Sequence, residues 1–407
     1  MSLSPRDIQI EHFNYDLPDN RIAKFPLEKR DASKLLVFEK GVISDNNFGD
    51  IVGQLNRDDI LVANQTRVVL ARLEFRTQTG ARIEVFCLEP TAAHFEIQTA
   101  MQKTATIEWK CLVGNAKKWK QGEILQLRVG RVELSADLLI RGVEGSVVKF
   151  NWSPEDISFA EVLDSVGNLP LPPYLKREVE QSDFERYQTV YSKDKGSVAA
   201  PTAGLHFTEE VLKALRDKGV DEGFLTLHVG AGTFMPVKAD TMSDHHMHSE
   251  EIVATIDLIK QMVKSRGRLI AVGTTTLRSL ESLYWTAVRI MNDSKGELRI
   301  DVKQWEPYEN NYAVIPIWRE AFSFLLRQME LMSVDVIRGQ TELLIAPGYS
   351  IKTADAILTN FHQPKSTLLL LVSACIGDDW EKVYTHALEN DYRFLSYGDS
   401  SLLYITK

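Results

Sequence analysis

The sequence predicts an α/β fold that is interrupted by a small all-β module. Its 407 residues exceed the roughly 100–200 residues of one ordinary domain, so more than one folding unit is expected. Residues 81–150 alternate apolar and polar positions between repeated glycines, which is typical of short strands in a barrel or a sandwich. After Pro154, helical and strand-like segments alternate, which is typical of an α/β domain.

The strands of the β module are predicted from their alternation and from the glycines between them. They are Arg82–Leu88, Glu123–Val129, Arg131–Ile140 and Ser146–Phe150. Because this module interrupts the α/β pattern, we expect residues 1–66 to pair with the C-terminal body. The proline-rich segment Leu169–Tyr174 is expected to be stiff and extended.

Capping signals place the next elements. Thr208 precedes two acidic residues and a helix that is predicted to run to Lys218, with Gly219 as its stop. Further elements are a strand at Leu225–Val229, a helix ending at Lys264, a strand at Leu269–Val272 and a helix from Thr275 or Thr276 through Glu281. Residues 285–340 predict an apolar helix or a packed insertion, and no chemistry is visible there.

The composition is that of a soluble globular chain, with 44% apolar and 25% charged residues. The longest apolar run, Leu368–Val372, is far shorter than the roughly 20 residues of a membrane span. The first residues show no secretory signal. The three cysteines, Cys87, Cys111 and Cys375, are odd in number and widely spaced, so we expect a cytoplasmic protein without a disulfide framework.

The charge is unevenly distributed along the chain. The net charge is −9, yet residues 67–150 contain 13 lysines and arginines against nine acidic residues. This excess is either chance variation on a solvated surface or the mark of a module that faces a polyanion such as a nucleic acid.

The first candidate functional segment is Ala199–Phe207. Small residues allow a ligand to approach the backbone, and His206 stands just before a predicted helix, where free N–H groups favour anionic ligand atoms. Thr202 and Gly204 belong to the same predicted substrate site. The alternative is that His206 only packs at the helix entry.

The second segment is a strand that ends in Gly230-Ala-Gly232, with His228 and Thr233 beside it. It resembles a dinucleotide-binding turn, but Met235 occupies the third glycine position and Pro236 opposes a following helix. A methyltransferase reading therefore has weak support. A loop that approaches a substrate closely is the alternative.

The third segment, Asp244–Glu250, contains His245, His246, His248 and Glu250. Such residues could bind a metal ion, although their spacing matches no common zinc motif. They could equally form a hydrogen-bonding wall around a polar ligand. A metal-dependent hydrolase therefore stays open as an alternative, while we expect no metal.

The fourth segment joins a strand, a glycine, three threonines and a helix over Ala271–Glu281. Hydroxyl groups and a helix N-terminus can hold oxyanions or ribose, so Thr274, Thr275 and Arg278 are candidate ligands. A threonine cap beside a surface arginine is the alternative.

The fifth segment runs from Thr359 to Leu371 and begins an apolar helix at Ser366 or Thr367. An anion could bind at its positive end. Candidate substrate-binding residues from here and from Tyr392–Asp399 are Asn360, His362, Lys365, Ser366, Thr367, Arg393, Tyr397 and Asp399. The density of histidine, threonine and arginine favours an enzyme over a non-catalytic RNA-binding module.

These segments, in this order, resemble the S-adenosylmethionine:tRNA ribosyltransferase-isomerases of queuosine biosynthesis. The resemblance extends over nearly the whole chain. The longest matching strings are Ala199–Phe207, Leu227–Phe234 and Thr359–Leu368. Further matches are Phe13–Pro18, Leu61–Val68, Leu169–Tyr174 and Tyr187–Tyr191.

The resemblance implies a larger α/β domain with a small β-barrel domain inserted in it. This agrees with the strand-rich insert of the sequence, which places the boundaries at residues 1–66 plus 156–407 for the first domain and 67–155 for the second. The resemblance also implies a transferase that moves and rearranges the ribosyl part of S-adenosylmethionine onto 7-aminomethyl-7-deazaguanine at the tRNA wobble position. Epoxyqueuosine-tRNA forms, and adenine and methionine leave. S-adenosylmethionine is then a substrate, no separate cofactor is needed, and we expect a monomer.

The family motifs also assign residues. His206, His228, His245 and His248 are the candidate acids and bases, since a base must remove a proton beside the sulfonium and adenine needs a proton donor. Candidate tRNA contacts are Arg67, Arg72, Lys117, Lys118, Lys120 and, by stacking on a base, Tyr174. The chain departs from the family between Glu281 and Pro347, where it is longer than usual.

Overall fold

A computed structural model describes residues 4–91, 96–142, 145–230, 237, 239–293, 296–309 and 311–406. The strands are β1 (Lys34–Glu39), β2 (Val42–Asn47), β3 (Ile60–Asn64), β4 (Thr66–Val68), β5 (Arg72–Arg76), β6 (Arg82–Pro90), β7 (Thr106–Gly114), β8 (Leu125–Val129), β9 (Val132–Ile140), β10 (Ser146–Ser153), β11 (Asp194–Ser197), β12 (Asp221–Leu227), β13 (Glu250–Thr255), β14 (Leu269–Val272), β15 (Ile300–Val302), β16 (Val336–Thr341), β17 (Ala356–Asn360) and β18 (Ser400–Tyr404).

The helices are α1 (Ile51–Gln54), α2 (Ile97–Met101), α3 (Phe159–Val166), α4 (Asp183–Arg186), α5 (Glu209–Lys218), α6 (Ile256–Lys264), α7 (Thr274–Asn292), α8 (Glu306–Glu309), α9 (Trp318–Leu331), α10 (Thr367–Ile376) and α11 (Asp379–Glu389). Short 3-10 helices lie at Pro5–Asp7, Ile10–Phe13, Asp19–Arg21, Arg30–Ala32, Phe48–Asp50, Ala116–Lys118, Pro173–Leu175, Thr202–His206 and Met242–Asp244.

The main sheet has ten described strands in the order β15-β16-β13-β12-β3-β14-β17-β18-β1-β2. The four central neighbours β12, β3, β14 and β17 are mutually parallel. Their residues alternate between two apolar layers, because Ile60 and Val62 of β3 pack in one layer while Leu61 and Ala63 pack in the other. Helices therefore cover both faces of a sheet whose parallel strands end at one common edge.

The second unit is a closed barrel of six antiparallel strands in the order β10-β7-β6-β5-β8-β9. Its interior is apolar, and Phe159 of α3 packs against Trp109, Phe150 and Trp152. The predicted fold class is confirmed, and the structure decides for a barrel over a sandwich. The sequence had missed β5 and β7, which supply two of the six strands.

Helix signals were accurate where a capping residue was present. Thr208 caps α5 through the N–H of Val211, and Gly219 ends α5 in a left-handed conformation at φ +89°. Helix α7 was predicted wrongly, since it starts at Thr274 without a side-chain cap and continues past Glu281 to Asn292. The predicted strand Leu225–Val229 is shifted, because β12 ends at Leu227.

The segment 285–340 is built into the α/β unit. It contains the end of α7, the edge strand β15, most of the neighbouring strand β16, and α9, whose Phe322 and Leu325 are buried in the large apolar layer. The expected apolar helix is thus present. None of the helices in the described part of the chain combines the length and the apolar character that a membrane span requires.

Candidate active site

The candidate site lies where the central parallel strands end. Asn64 ends β3, His228 follows β12, Gly273 follows β14 and Asn360 ends β17. Ligands of α/β sheets characteristically bind at the carboxyl ends of parallel strands. The sheet therefore brings together at one edge three of the candidate segments, which are spread over about 130 positions of the sequence.

His228 is buried at this edge and is held on one side only. Its Nδ1 lies 3.2 Å from Thr66 Oγ1. Its ring packs so closely against Gly196 that position 196 has no room for a side chain. Within the described residues, Nε2 of His228 is buried and has no hydrogen-bond partner. A buried polar atom without a partner is costly, so Nε2 is available for a substrate atom.

The surroundings of His228 also set its protonation. Burial lowers the pKa of His228 to about 4, and the nearby carboxylate of Asp194 opposes this only in part. The hydroxyl of Thr66 donates to the carbonyl of Asp194 at 3.4 Å, so it is an acceptor for Nδ1–H. With the proton on Nδ1, the neutral ring has a lone pair on Nε2, and this is the tautomer that a general base needs.

His206 is also buried, but both of its ring nitrogens have partners. Its Nδ1 lies 2.8 Å from Ser33 Oγ, and its Nε2 lies 3.3 Å from Asn360 Nδ2. Burial, and then the charges of Arg393 and Arg30, lower the pKa of His206 to about 3. With both nitrogens engaged, His206 is arranged to position Asn360, and His228 is the better placed base.

Asn360 provides a second unpartnered atom at the same edge. Its Nδ2 donates to the carbonyl of Leu395 at 3.1 Å and faces His206, whereas its buried Oδ1 has no partner among the described residues. His362, two residues further on, contacts Thr359 Oγ1 through Nε2 at 2.9 Å. Burial lowers the pKa of His362 to about 3, so it is neutral and structural near pH 7.

The start of α7 connects two more of the predicted segments. Arg278 forms a buried ion pair with Glu250, and the N–H of Gly230 donates to Glu250 Oε1 at 3.2 Å. Burial lowers the pKa of Arg278 to about 10. Because Glu250 already occupies its guanidinium, Arg278 fixes the Gly230 loop against α7 and does not present a free charge. Thr274 and Thr275 remain at the open N-terminus of α7.

The third segment is only partly in the site. Glu250 joins it, but His245 and Met247 are bound through their backbone to the side chain of Gln304. Burial, and then the proximity of His248 and His246, lower the pKa of His245. Among the described residues, no group of three or more His, Cys, Asp or Glu side chains is arranged to hold a metal ion.

The N-terminus of α10 is largely occupied by the protein itself. Ser366 caps the helix through the N–H of Leu369 at 3.3 Å, and Thr367 follows as its first residue. Lys365 pairs with Glu11 at 2.6 Å. An anion bound there, as the sequence predicts, would have to compete with Glu11.

The C-terminal candidates brace this edge. Asp399 accepts hydrogen bonds from the backbone N–H groups of Lys34 at 3.1 Å and Arg393 at 2.8 Å, and Tyr397 donates to Asp183 at 2.8 Å.

In the first segment, Gly204 lies so close to the Tyr191 hydroxyl that a Cβ added at Gly204 would be 2.0 Å from it. Thr202 is half-buried at the start of the same 3-10 helix.

The predicted tRNA contacts lie on the barrel and on the segment leading to it. Lys117, Lys118 and Lys120 are exposed around the buried Trp119, and Arg67 is exposed on β4. Arg72 lies 3.6 Å from Glu84. The Tyr174 hydroxyl forms a hydrogen bond with Ser396 Oγ at 2.5 Å, and burial raises the pKa of Tyr174 to about 12.

Two predicted substrate-binding residues of the second segment, Gly232 and Thr233, lie outside the described residues.

Sequence reasoning missed the residues that hold the histidines. Thr66 and Gly196 come from β4 and β11, which pair in a separate two-stranded sheet, and Ser33 precedes β1. Thr66 lies inside a family-like string and Gly196 lies close to one, whereas Ser33 had no such signal. Which histidine each one contacts depends on tertiary pairing.

Replacing Gly196 by alanine should displace His228 and impair the site. The new Cβ would lie 2.7 Å from Cε1 and Nδ1 of His228 and 2.6 Å from Ile97 Cγ2. Displacing a catalytic group by about 1 Å can cost about a hundredfold in rate. We therefore expect kcat to fall about a hundredfold, as measured by product formation.

Gly80→Ala is the matched control, since Gly80 also has a positive φ of +83° but has nothing within 4 Å of the added methyl group. It should show only the backbone strain. Equal activity of the two variants would remove the steric argument for His228.

The fold and this site define an α/β enzyme that holds a neutral histidine and a row of hydroxyl and amide groups at the carboxyl edge of its sheet. The chain belongs to the queuosine biosynthesis protein family, whose sequence model matches residues 10–403. The family expected from the sequence is confirmed. A solved structure with 28% identity, S-adenosylmethionine tRNA ribosyltransferase from Thermotoga maritima, aligns over 96% of this chain and 99% of that chain with a TM-score of 0.46.

Proposed function

We propose that the protein transfers the ribosyl part of S-adenosylmethionine to 7-aminomethyl-7-deazaguanine at the tRNA wobble position and isomerises it to epoxyqueuosine. Adenine and methionine are the other products. Membership of the queuosine biosynthesis family supports the pathway. The observation that carries the chemistry is a pair of buried atoms at the carboxyl edge of the sheet, His228 Nε2 and Asn360 Oδ1, that have no hydrogen-bond partner among the described residues.

The reaction needs a base next to the sulfonium. The positive sulfur makes the hydrogens on C5′ acidic, and His228 is neutral at pH 7 with an Nε2 that no other described residue contacts by a hydrogen bond. In the proposed mechanism, Nε2 takes a C5′ proton, and the imidazolium so formed can return a proton to adenine as it leaves. Desolvation around His228 keeps the imidazole in its neutral, proton-accepting form near neutrality.

The remaining groups bind and orient the substrate. Thr274 and Thr275 at the N-terminus of α7 are placed to hold ribose hydroxyls or the methionine carboxylate. Asn360 Oδ1 can accept a hydrogen bond from a ribose hydroxyl or an amine. The exposed lysines at 117, 118 and 120 provide charge for the tRNA backbone. We also propose that the enzyme acts as a cytoplasmic monomer without a separate cofactor.

The test is adenine release, followed by chromatography. With S-adenosylmethionine and tRNA carrying the aminomethyl-deazaguanine, we expect adenine and methionine in equal amounts. Unmodified tRNA is the control and should give neither. S-adenosylhomocysteine in their place would establish a methyltransferase, and activity that disappears on exhaustive chelation and returns with zinc would establish the metal-dependent alternative.

A further inference from the structure

A cavity lies at the edge of the main sheet opposite the candidate active site, where the parallel strands begin. It has a volume of about 440 Å³ and is lined by residues directly before β3, β14 and β17, namely Asp59, Arg268 and Asp355. Its other wall is formed by Trp318 and Arg319 at the start of α9. The segment in which the sequence showed no chemistry therefore supplies part of a cavity.

The two carboxylates of this cavity are already engaged. Asp59 is buried and accepts a bidentate ion pair from Arg268, with a closest distance of 2.7 Å, and Asp355 Oδ2 accepts the N–H of Leu269 at 3.0 Å. Arg319 donates to the carbonyls of Ser265 and Gly267, and its guanidinium lies 4.2 Å from the centre of the Trp318 ring. These contacts fix the walls and satisfy Arg268 and Arg319.

Two further arginines, Arg57 and Arg266, line the same cavity and remain available. Both are exposed, and neither forms an ion pair or a side-chain hydrogen bond with any part of the chain that the structure describes. The cavity thus contains four guanidinium groups against two carboxylates. Its surplus positive charge is concentrated on two side chains that can still turn towards a ligand.

The charge and the size together indicate the ligand. Guanidinium groups match the paired oxygens of phosphate and carboxylate, and Arg is favoured where such groups are bound. A volume of about 440 Å³ is within the roughly 300–1,000 Å³ of small-molecule sites and is more than one carboxylate fills. We propose that this cavity is a second, non-catalytic binding site for a phosphate-bearing ligand, with Arg57 and Arg266 as its anion-binding residues.

The position of the cavity separates it from the candidate active site. Arg268 and Gly273 lie at opposite ends of β14, so the two edges are about 16 Å apart at roughly 3.3 Å per residue. A phosphate bound at Arg57 and Arg266 cannot touch His228. The proposal therefore does not depend on the proposed reaction.

Calorimetry with pyrophosphate and with ADP, on the full chain without S-adenosylmethionine, tests the site. The double variant R57Q/R266Q removes both available charges at exposed positions and should fold normally. We expect at least tenfold weaker binding in this variant than in the unchanged protein. Arg327→Gln, an exposed arginine on α9 outside the cavity, is the matched control and should leave binding unchanged.

A second arm identifies the source of the phosphate. If the phosphate belongs to an RNA backbone, free pyrophosphate and ADP will not bind, and the double variant will lower the slope of log K against log salt for unmodified tRNA by about 0.9 for each lost contact. Binding in neither arm, or equal losses in the double variant and in Arg327→Gln, overturns the proposal. Adenine release does not enter either readout, so its failure would be a separate result.

Discussion

Replacing His228 by glutamine is expected to lower kcat about 10²–10⁴-fold, the usual contribution of a general acid–base residue. Glutamine keeps the polar side chain but cannot take a proton. The expected loss follows from Nε2, which lacks a hydrogen-bond partner in the described part of the chain, and from burial, which lowers the pKa of His228 to about 4. Single-turnover adenine release measures the change, and circular dichroism checks that the variant is folded.

The matched control for this prediction is His386→Gln. His386 is a partly exposed histidine on α11, and its Nε2 lies 3.0 Å from a carboxylate oxygen of Asp45 on β2. Because it is a surface residue, its replacement should change kcat by less than about twofold. If H228Q keeps more than a tenth of the activity, another group is the base.

Thr66→Val separates chemistry from positioning at the same site. Valine has a similar shape but cannot accept the Nδ1 hydrogen, so the ring loses the contact that fixes its tautomer. In the unchanged enzyme, the base form of His228 persists down to about pH 4, and protonation at lower pH abolishes it. We expect T66V to lower kcat less than H228Q does and to shift this acidic limb of the pH profile, a shift that simple loss of packing would not produce.

The parts of the fold that could be predicted from sequence are those with local causes. Helix α5 was placed correctly because Thr208 and Gly219 mark its ends, and β14 because four apolar residues lie between turn signals. Helix α7 was predicted to run only through Glu281, whereas it continues to Asn292. Glu281 is fully buried and accepts hydrogen bonds from Tyr349 and Thr353.

The site was predictable as a set of segments and not as a geometry. The string around His228 predicted a strand, and β12 covers the first three residues of that prediction. The predicted close-approach loop lies mostly outside the described residues and stays a prediction. The choice between four histidines was not available from sequence, because it depends on whether each ring nitrogen finds a partner. Ser33 and Asn360 occupy His206, whereas Thr66 occupies only one side of His228. His245 has Gln304 as a neighbour from 59 positions away.

The largest effect on stability is expected at the buried pair of Glu250 and Arg278. Both side chains are almost fully enclosed, and the pair joins the start of β13 to the first turns of α7. Glu250→Gln leaves the guanidinium without a countercharge in a site from which water is excluded. Breaking a buried pair in this way costs about 3–5 kcal/mol, so the free energy of unfolding in urea should fall by that amount.

An exposed ion pair provides the matched control. Lys213 and Asp217 face solvent on α5 at i and i+4, and Asp217→Asn should change the free energy of unfolding by less than about 0.5 kcal/mol. The double variant E250Q/R278M tests the cause. Because it removes both charges, it should recover much of the loss if the uncompensated guanidinium is responsible.

The same pair also predicts a catalytic effect that stability alone does not. Glu250 Oε1 accepts the N–H of Gly230, so the carboxylate orients the loop that follows His228. In E250Q/R278M the fold should be largely restored, but glutamine holds this N–H less strongly than a carboxylate does. We therefore expect kcat to stay below that of the unchanged enzyme while the urea midpoint recovers. Recovery of both together would mean that the pair stabilises the sheet and has no part in positioning the Gly230 loop.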